Sequence, residues 1–420
     1  MNSFNFPSDF KLGVASAATQ IDGDCKNSNW YDWYLKGNIK DNSNPDIATE
    51  HRHFLKEDTE LMAQMGICHY RFGLEWARIE PLEGKFSYDE FKKVREEILL
   101  LKSNGISVLL TIHHFSNPMW FENKGAFLSS DSKQIFLRLV RKVTEELGDI
   151  VNEFITINEP NVYAVNSFFG GGFPPNHNSL FKALKVMKNM RKCHIESYLL
   201  IHSIRKKMGF TDTQVGFAHH MRAFSPWDSN KTSHKLIAKA SKWLFQGNIN
   251  KTYLLGSKAR NAVYADFLAV NYYTRTASKS FADDTYPNSP VNDLGWEIYP
   301  EGIAECCRDL HLLLPHLPIY ITENGTADND DRFRRRYIYE HLKALVDSGL
   351  PVKRYYHWCF VDNFEWLEGF SARFGLVYLD TKTMKRQVKR SGEFYSEMIK
   401  NHGVTEEMAA MALGEEYSYN

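Results

Sequence analysis

One pattern recurs along the whole sequence: a short apolar run is followed by a segment with helical spacing of its apolar residues, and then by another apolar run. Several runs are continuously apolar, as in VLLTI, FLAVNYY and IYITE. Such uninterrupted strands are typical of parallel sheets that are covered on both faces. The pattern predicts eight strands, at residues 11–19, 68–74, 108–113, 154–158, 215–219, 267–271, 319–322 and 355–360.

The segments between these runs carry helical periodicity. In residues 131–148 the apolar side chains fall on one stripe, with Asp131 as the predicted N-cap and Gly148 directly after the helix. Helices are also predicted at 53–66, 87–105, 334–349 and 392–403. Three helices end at a glycine just before the next strand (AQMGICHYR, KSNGISVLL and VDSGLPVKR), a turn typical of βα units wound in one direction.

Eight βα units predict a single (β/α)8 barrel domain over residues 1–420, and an open doubly wound sheet is the alternative. No GxGxxG follows the first strand, and a polar residue stands at the end of nearly every strand. These strand ends are Gln20, Arg71, His113, Glu159, His219, Asn271, Glu323 and Trp358. In a closed barrel they converge on one mouth, which is where barrel enzymes hold their active sites.

The composition narrows the classes of partner. Lys+Arg and Asp+Glu are both 51, and a formal net charge of zero argues against a nucleic-acid-binding protein. The start lacks a basic segment followed by an apolar one, and no apolar run approaches the ~20 residues that cross a bilayer. Six scattered cysteines without CxxC spacing predict free thiols in a reducing compartment. We therefore expect a cytoplasmic protein without membrane partner, metal or cofactor, whose oligomeric state stays open.

Two carboxylates follow strands four and seven. Glu159 lies in FITINEP and Glu323 in IYITENG, and each could simply cap the loop that follows it. Facing each other across a barrel mouth, they would suit glycoside hydrolysis, which needs one protonated and one ionised carboxyl group. The charge of Arg71 could keep one of them ionised, and repulsion together with desolvation would raise the pKa of the other.

Along nearly its whole length the chain resembles glycoside hydrolase family 1, of the β-glucosidase type. The matching stretches are FPSDFKLGVASAATQIDG, EDTELMAQMG, YRFGLEWARIEP, TINEP, DFLAVNYYT, GWEIYPEG, IYITENG and DNFEWLEGFSARFGLVYLD. The resemblance implies that Glu159 is the general acid/base and Glu323 the nucleophile. It also implies that Arg71 and Tyr273 hydrogen-bond to Glu323, and that Asn158 binds the sugar 2-hydroxyl.

The resemblance further implies a pocket for the terminal sugar. Gln20 and His113 would bind hydroxyls on the far side of the ring, Glu365 the 4- and 6-hydroxyls and Trp366 the 3-hydroxyl. Trp358 would form the floor under the ring.

Two more residues, Asn271 and Trp296, are candidates for substrate binding, with Trp296 as a platform for the leaving group. Alternatively, Trp296 and Trp358 have no part in binding and lie in the core. For His219 and His220, the alternative to a functional role is that they are structural residues of the barrel whose polar atoms are hydrogen-bonded within the protein.

The sequence departs from the family pattern at three places. The usual His-Trp after strand three is read here as His113-His114, the usual QIEG is QIDG with Asp22, and region 221–265 is short. His114 either fills space beside Phe115 or Trp120, or hydrogen-bonds a ring hydroxyl on the 3- or 4-side. The short region predicts a more open leaving-group side.

These observations predict a retaining β-glycosidase that hydrolyses terminal non-reducing β-D-glucosyl residues by double displacement, with β-D-galactosides and β-D-fucosides as further substrates. The expected partner is a small-molecule β-glycoside or oligosaccharide, with water as the second substrate. The alternatives are a 6-phospho-β-glycosidase of the same family, in which Glu365 would repel the phosphate, and an inactive sugar-binding relative. An aldolase-like barrel would need a lysine at a strand end, and none of the eight predicted ends carries one.

Overall fold

A closed barrel of eight parallel strands forms the centre of the molecule in the computed structural model, which describes residues 2–256, 262–282 and 284–419. Each strand pairs with the next along the chain, and the last pairs with the first. The strands are β1 (Lys11–Ala15), β2 (His69–Gly73), β3 (Ser107–His113), β4 (Glu153–Asn158), β5 (Gln214–Pro226), β6 (Leu268–Ser278), β7 (Ile319–Asn324) and β8 (Val352–Trp358). The predicted (β/α)8 fold is confirmed.

A helix follows each strand and covers the outside of the barrel. These helices are α1 (Leu55–Gln64), α2 (Tyr88–Ser103), α3 (Ser132–Leu147), α4 (Leu180–Lys207), α5 (Thr232–Lys242), α6 (Glu301–Leu313), α7 (Arg334–Asp347) and α8 (Arg390–Asn401). In α3 the predicted apolar stripe is buried throughout, and Asp131 is its N-cap residue. Gly66, Gly105 and Gly349 all adopt positive φ in the turns after their helices, a conformation that glycine reaches without strain.

Shorter elements fill the loops. Short helices lie at Ala18–Ile21, Asn29–Leu35, Trp76–Ile79, Met119–Asn123, Pro160–Phe168, Asn248–Leu255 and Glu406–Leu413, with tighter turns at Ala126–Leu128 and Trp366–Glu368 and a wider π-type turn at Trp243–Gly247. Antiparallel two-stranded pairs join Phe4–Asn5 to Gly403–Val404, Pro290–Val291 to Ser418–Tyr419, and Val377–Leu379 to Arg386–Val388. The six cysteines, all within the described residues, form no disulfide, as predicted.

Some strand ends differ from the sequence prediction. β1 stops at Ala15 because the chain turns into the helix Ala18–Ile21, which carries Gln20. β5 and β6 continue to Pro226 and Ser278, since they pair with each other well beyond the rest of the barrel. Asn271, predicted to end its strand, therefore lies inside β6.

Strand alternation decides which side chains enter the barrel. On β2 the rings of Tyr70 and Phe72 stack with centroids 5.5 Å apart, while Arg71 between them points to the opposite face and reaches Glu323 on β7. Arg71 is completely buried, and a buried charge is costly unless it is paired and hydrogen-bonded. The barrel interior is thus built around an ion pair rather than an entirely apolar core.

Candidate active site

A cavity of about 310 Å³ opens at the carboxyl ends of the barrel strands. Its lining combines carboxylates and histidines with aromatic and aliphatic side chains, the mixture expected of a small-molecule site. The lining residues include His114, Phe115, Glu159, Phe173, His220, Arg222, Phe245, Tyr273, Leu294, Trp296, Glu323, Trp358, Glu365, Trp366 and Phe374.

Glu159 lies directly after β4, at the N-cap position of the helix Pro160–Phe168. Its φ of 42° is left-handed, which is uncommon for a residue other than glycine and clusters at functional sites. Asn271 Nδ2 donates a hydrogen bond to Glu159 Oε1 over 2.9 Å, and His220 Nδ1 lies 3.1 Å from the same oxygen. The carboxyl group is therefore held from two other strands.

Glu323, on β7, is held even more tightly. Arg71 Nη1 donates to Glu323 Oε1 over 2.5 Å, and the Tyr273 hydroxyl donates to Oε2 over 2.6 Å. Both carboxylate oxygens thus have a strong donor, and the whole group is buried. Because the guanidinium of Arg71 does not lose its proton in proteins, this partner keeps its positive charge at every working pH.

A short chain of amides connects the two carboxyl groups. Asn158 Oδ1 accepts from Arg71 Nη2 over 2.6 Å and from Asn271 Nδ2 over 3.1 Å. Asn271 Oδ1 in turn accepts from the hydroxyl of Thr322, the residue before Glu323, over 2.6 Å. Since every donor and acceptor here comes from a barrel strand, the geometry of the pair is fixed by the barrel itself.

The two carboxyl groups affect each other's ionisation. Burial raises the pKa of Glu323 to about 7, with a further increase from the charge of Glu159, although Arg71 and Tyr273 lower it. Burial also raises the pKa of Glu159, but His220 and the hydrogen bond from Asn271 outweigh it and lower the pKa overall. Near neutral pH the pair of carboxyl groups therefore shares one proton.

Glu365 and its neighbours form the other end of the cavity. Gln20 Nε2 and Trp358 Nε1 donate to Glu365 Oε2 over 3.1 Å and 3.4 Å, and the ring of Trp366 packs 4.7 Å from that of Trp30. Burial, together with the charges of Glu323 and Glu159, raises the pKa of Glu365 to about 8. At neutral pH this raised pKa favours the protonated form of Glu365.

Two polar atoms near this end lack a partner among the described residues: Gln20 Oε1 and His114 Nδ1. Asn158 Nδ2 donates to His114 Nε2 over 2.9 Å, so the ring proton is on Nδ1. Burial and the charge of Arg71 lower the pKa of His114 well below its ordinary value, so its ring is neutral rather than titrating near neutral pH. An unsatisfied acceptor and an unsatisfied donor at one end of a cavity suit a ligand rich in hydroxyl groups.

The two histidines after β3 occupy other places than the sequence analysis gave them. His113 faces away from the cavity: its ring lies 4.9 Å from that of Phe127 and 5.6 Å from that of Tyr163, and its Nε2 donates to Asn117 Oδ1 over 3.0 Å. His114 lines the cavity, and Phe115 follows it. The structure therefore places His114 rather than His113 in the cavity lining, one residue later along the strand than the sequence analysis assumed.

The two histidines after β5 also differ in their surroundings. His219 was expected at the mouth, but its Nδ1 donates to Asn250 Oδ1 over 2.5 Å, on the helix side of the strand. His220, for which the role of a satisfied barrel residue was one of two alternatives, lines the cavity beside Glu159. Adjacent histidines give no sequence signal for which of them faces inward, and only the register of the strand decides it.

The outer part of the cavity is apolar. Trp296 stands at the rim, 37% exposed, with its ring centroid 5.9 Å from that of Tyr273 and 6.1 Å from that of Phe374. Phe245, from the π-type turn in the short region 221–265, lines the cavity near Arg222. Phe245 was not among the predicted site residues, because its turn lies in the region where the sequence offered no motif.

A larger cavity of about 530 Å³ lies beside the end of β2, near Gly73, and is lined by many charged residues. Its charges are paired with one another: Arg52 contacts Glu90 over 2.6 Å, and Arg78 contacts Asp22 and Glu90. Groups already satisfied in this way offer little to a ligand, so we assign no site there.

Within the described ranges, no group of three or more His, Cys, Asp or Glu side chains is arranged to hold a metal ion. Nor does any helix there combine the length and the apolar character needed to cross a membrane.

Comparisons with known proteins agree with this geometry. The sequence matches the model described as Glycosyl hydrolase family 1 over residues 2–265 and 257–404. It is 30% identical to a 1,4-beta-D-glucan glucohydrolase of Thermotoga neapolitana, covering 96% of this chain and 99% of the relative, and 30% identical to Beta-glucosidase A of Thermotoga maritima, covering 96% and 100%. The solved structure of a family 1 b-glucosidase from Thermotoga maritima superimposes with a TM-score of 0.90 at 27% identity, covering 97% of this chain and 100% of that one.

Proposed function

The chain belongs to glycosyl hydrolase family 1, and from this premise we propose that it is a β-glucosidase that cleaves terminal non-reducing β-D-glucosyl residues with retention of configuration. The observation that carries the proposal is the pair Glu159 and Glu323, joined through Arg71, Asn158 and Asn271 in one hydrogen-bonded chain. Retaining enzymes place their two carboxyl groups ~5–5.5 Å apart, and this is the separation that we expect between Glu159 and Glu323.

In the first step Glu323 attacks the anomeric carbon and forms a covalent glycosyl ester. At the same time Glu159 gives its proton to the glycosidic oxygen, so the leaving group departs as a neutral alcohol. Arg71 and Tyr273 hold both oxygens of Glu323 and keep the attacking group aligned. Charge moves from Glu323 towards the sugar, and the donors that restrain Glu323 are already in place.

In the second step Glu159, now ionised, takes a proton from water, and the water oxygen attacks the anomeric carbon. The ester bond to Glu323 breaks, and both carboxyl groups return to their starting forms. Because each step inverts the anomeric centre, the product keeps the configuration of the substrate. Asn158 Nδ2 carries a second hydrogen beyond the one given to His114, and we assign that hydrogen to the sugar 2-hydroxyl.

The chemistry requires that the shared proton rest on Glu159. Arg71 cannot give up its charge, so it stabilises an ionised Glu323 at all times. The residue beside Glu159 is His220, whose Nε2 accepts a hydrogen bond from Arg222 Nε and therefore carries no proton. Since Glu323 has the permanently charged partner, we assign the proton of the pair to Glu159.

The terminal sugar is best assigned to the end of the cavity with the unsatisfied polar atoms. Glu365 and Gln20 would bind hydroxyls on the 4- and 6-side, His114 would donate to a ring hydroxyl, Trp366 would bind the 3-hydroxyl, and Trp358 would lie under the ring. With His114 in the position of the family histidine, the usual following tryptophan corresponds to Phe115, whose ring packs 5.2 Å from that of Trp366.

The leaving group is assigned to the apolar rim. Trp296, Phe245, Leu294 and Phe374 offer it rings and aliphatic carbon, which favours aryl or otherwise apolar aglycones. β-D-galactosides and β-D-fucosides remain further candidate substrates. The unpaired cysteines favour a reducing compartment, and we propose the cytoplasm.

A 6-phospho-β-glycosidase is the second candidate. Binding a phosphate needs cations, and Glu365 brings none in either of its protonation states. A panel of nitrophenyl glycosides, including the 6-phosphoglucoside, tests both functions on the purified protein. We expect the highest kcat/KM on an unphosphorylated β-D-glucoside, and a preference for the 6-phosphate would overturn the assignment.

Replacing Glu365 by serine tests the assigned sugar end directly. The change removes the acceptor of Gln20 and Trp358 and the contact with two sugar hydroxyls, so kcat/KM on glucosides should fall by about 2–4 kcal/mol, roughly 30- to 1,000-fold. Glu365→Gln is the matched control: it keeps the size and much of the hydrogen bonding and should lose less. Equal, small losses in both variants would place the sugar elsewhere.

The pH dependence follows from the carboxyl pair. The enzyme is active while the pair keeps one proton, and the pKa of about 7 at Glu323 sets the upper end of that range. We therefore expect a bell-shaped profile of kcat/KM whose alkaline limb lies near pH 7 and whose acid limb lies below the ordinary range of a glutamate. A plateau that extends unchanged to pH 9 would contradict the shared proton.

A further inference from the structure

The side chain of His220 connects Glu159 to Arg222 on β5. His220 Nδ1 lies 3.1 Å from Glu159 Oε1, and Arg222 Nε donates to His220 Nε2 over 3.1 Å. A guanidinium can only donate, so Nε2 must be the ring nitrogen without a proton. The proton of the neutral ring is then on Nδ1, and this N–H donates to Glu159.

The consequence for Glu159 is an asymmetry between its two oxygens. Oε1 accepts from both Asn271 and His220, which makes it the carbonyl-like oxygen of a protonated carboxyl group. Oε2 has no hydrogen-bond partner within the described part of the chain, and Glu159 lines the cavity. The proton of the acid form is accordingly placed on Oε2, towards the space where the glycosidic oxygen would lie.

We infer that His220 and Arg222 are positioning residues for the acid/base: Arg222 keeps His220 neutral with its proton on Nδ1, and His220 thereby leaves the catalytic proton on Oε2 of Glu159. The inference rests on the proposed function, because it assumes that Glu159 is the acid/base. Arg222 acts only through His220, and neither residue is assigned a bond to the reacting atoms.

The surroundings of His220 support a fixed ring. Its ring stacks on Tyr273 with centroids 5.8 Å apart at an interplanar angle of 16°, and it meets the edge of Phe245 at 5.7 Å. The guanidinium of Arg222 lies over the same Phe245 ring, 5.4 Å from its centroid. A ring held on two sides, with both nitrogens engaged, keeps one tautomer.

Other ionisable groups also act on His220 and Glu159, and these groups are unchanged in every variant described below. Arg71 and Glu323 face Glu159 from β2 and β7, Glu365 acts from beyond β8, Tyr273 faces both His220 and Glu159 from β6, and His219 adjoins His220 on β5. A change in pH dependence between the variants therefore reports on His220 and Arg222.

Two substitutions should move the alkaline limb of the kcat/KM profile in opposite directions. His220→Phe keeps the stacked ring but removes the donor to Oε1, so the ionised form of Glu159 loses stabilisation and the limb should move up by about one pH unit. Arg222→Met frees Nε2 to take a proton, which places a cation beside Glu159, and the limb should move down by about one unit.

His220→Asn is the conservative control, since its amide can donate from nearly the position of Nδ1 but cannot become charged. The alkaline limb of His220→Asn should lie close to that of the wild type. In the double variants that combine Arg222→Met with His220→Asn or with His220→Phe, the limb should differ from that of the single His220 variant by less than about 0.3 pH unit. Thermal unfolding shows whether His220→Phe folds. If it does not, the inference is still decided by comparing the shift of the alkaline limb that Arg222→Met causes in the wild type with the shift that it causes in His220→Asn.

The profiles are measured on an alkyl β-D-glucoside, whose departure needs the proton, and on a nitrophenyl β-D-glucoside. Two results would overturn the inference and leave the proposed function intact. One is an alkaline limb at the same pH in all variants, and the other is a shift of that limb by Arg222→Met that has the same size with and without His220. If the wild type hydrolyses neither substrate, the proposed function fails first.

Discussion

Replacement of Glu323 by glycine is expected to remove nearly all hydrolysis, by a factor of roughly 10⁴ or more in kcat, which corresponds to at least about 5.5 kcal/mol. Among the residues that the structure describes, no other carboxylate is held in the same way by Arg71 and Tyr273, so we expect the variant to lack a group that can form the covalent intermediate. Added azide can enter the space left by the side chain and attack the anomeric carbon from the same face. Turnover should return, and the product should be the inverted α-glycosyl azide.

The control for this experiment is Glu323→Gln, which keeps the size of the side chain and its contacts but cannot act as a nucleophile. It should be as inactive as the glycine variant, and azide should not rescue it, because the space remains filled. The product configuration is read by NMR. Near-wild-type hydrolysis in either variant would be incompatible with the mechanism, and an azide product of β configuration would place the nucleophile on another face.

The loss in a Glu159→Ala variant should depend on the leaving group. For alkyl β-D-glucosides, whose oxygen must be protonated as it departs, kcat/KM should fall by roughly 10²–10⁴-fold, the usual contribution of a general acid. For dinitrophenyl glucosides, which leave as stable anions, the first step should be nearly unaffected and the second, which needs the base, should become limiting. KM for the activated substrate should then fall because the covalent intermediate accumulates.

A rapid-mixing experiment on the dinitrophenyl glucoside checks this second expectation by looking for a burst of nitrophenolate before the steady state. The matched control is His220→Asn, which leaves the carboxyl group in place and should show no leaving-group dependence of comparable size. Equal losses on both substrate classes in Glu159→Ala would mean that Glu159 only supports the structure of the loop that follows it.

The sequence was most informative where chemistry and periodicity coincide. Glu159 and Glu323 each follow an apolar strand in which a carboxyl group is costly, so their positions stand out without any alignment. The order of strands and helices could be read in the same way, because helices such as α3 bury a continuous apolar stripe. These features depend on the spacing of apolar residues along short stretches of the chain, and this spacing can be read directly from the sequence.

The direction of single side chains near strand ends could not be read so well. His113 and His114, and likewise His219 and His220, are adjacent residues of one type, and a shift of one residue exchanges the face on which each lies. The inward positions are fixed by pairing with strands far along the chain, as β5 pairs with β6, and not by neighbours in sequence. The sequence therefore did not indicate that His114 and His220, rather than His113 and His219, line the cavity.

The pairing of β8 with β1, in which Arg354 lies opposite Lys11 and Trp358 opposite Ala15, has a consequence for how the protein matures. Contacts between such distant parts of a chain form late, because the entropy of closing a long loop must be overcome first. Chains longer than about 150 residues commonly fold through collapsed intermediates that already contain secondary structure. During refolding from denaturant, the helical circular dichroism signal should therefore return before hydrolysis does, and a nascent chain that has not yet released its eighth strand should be inactive. Enzymatic activity in this protein is thus a reporter of barrel closure, whereas helix content is not.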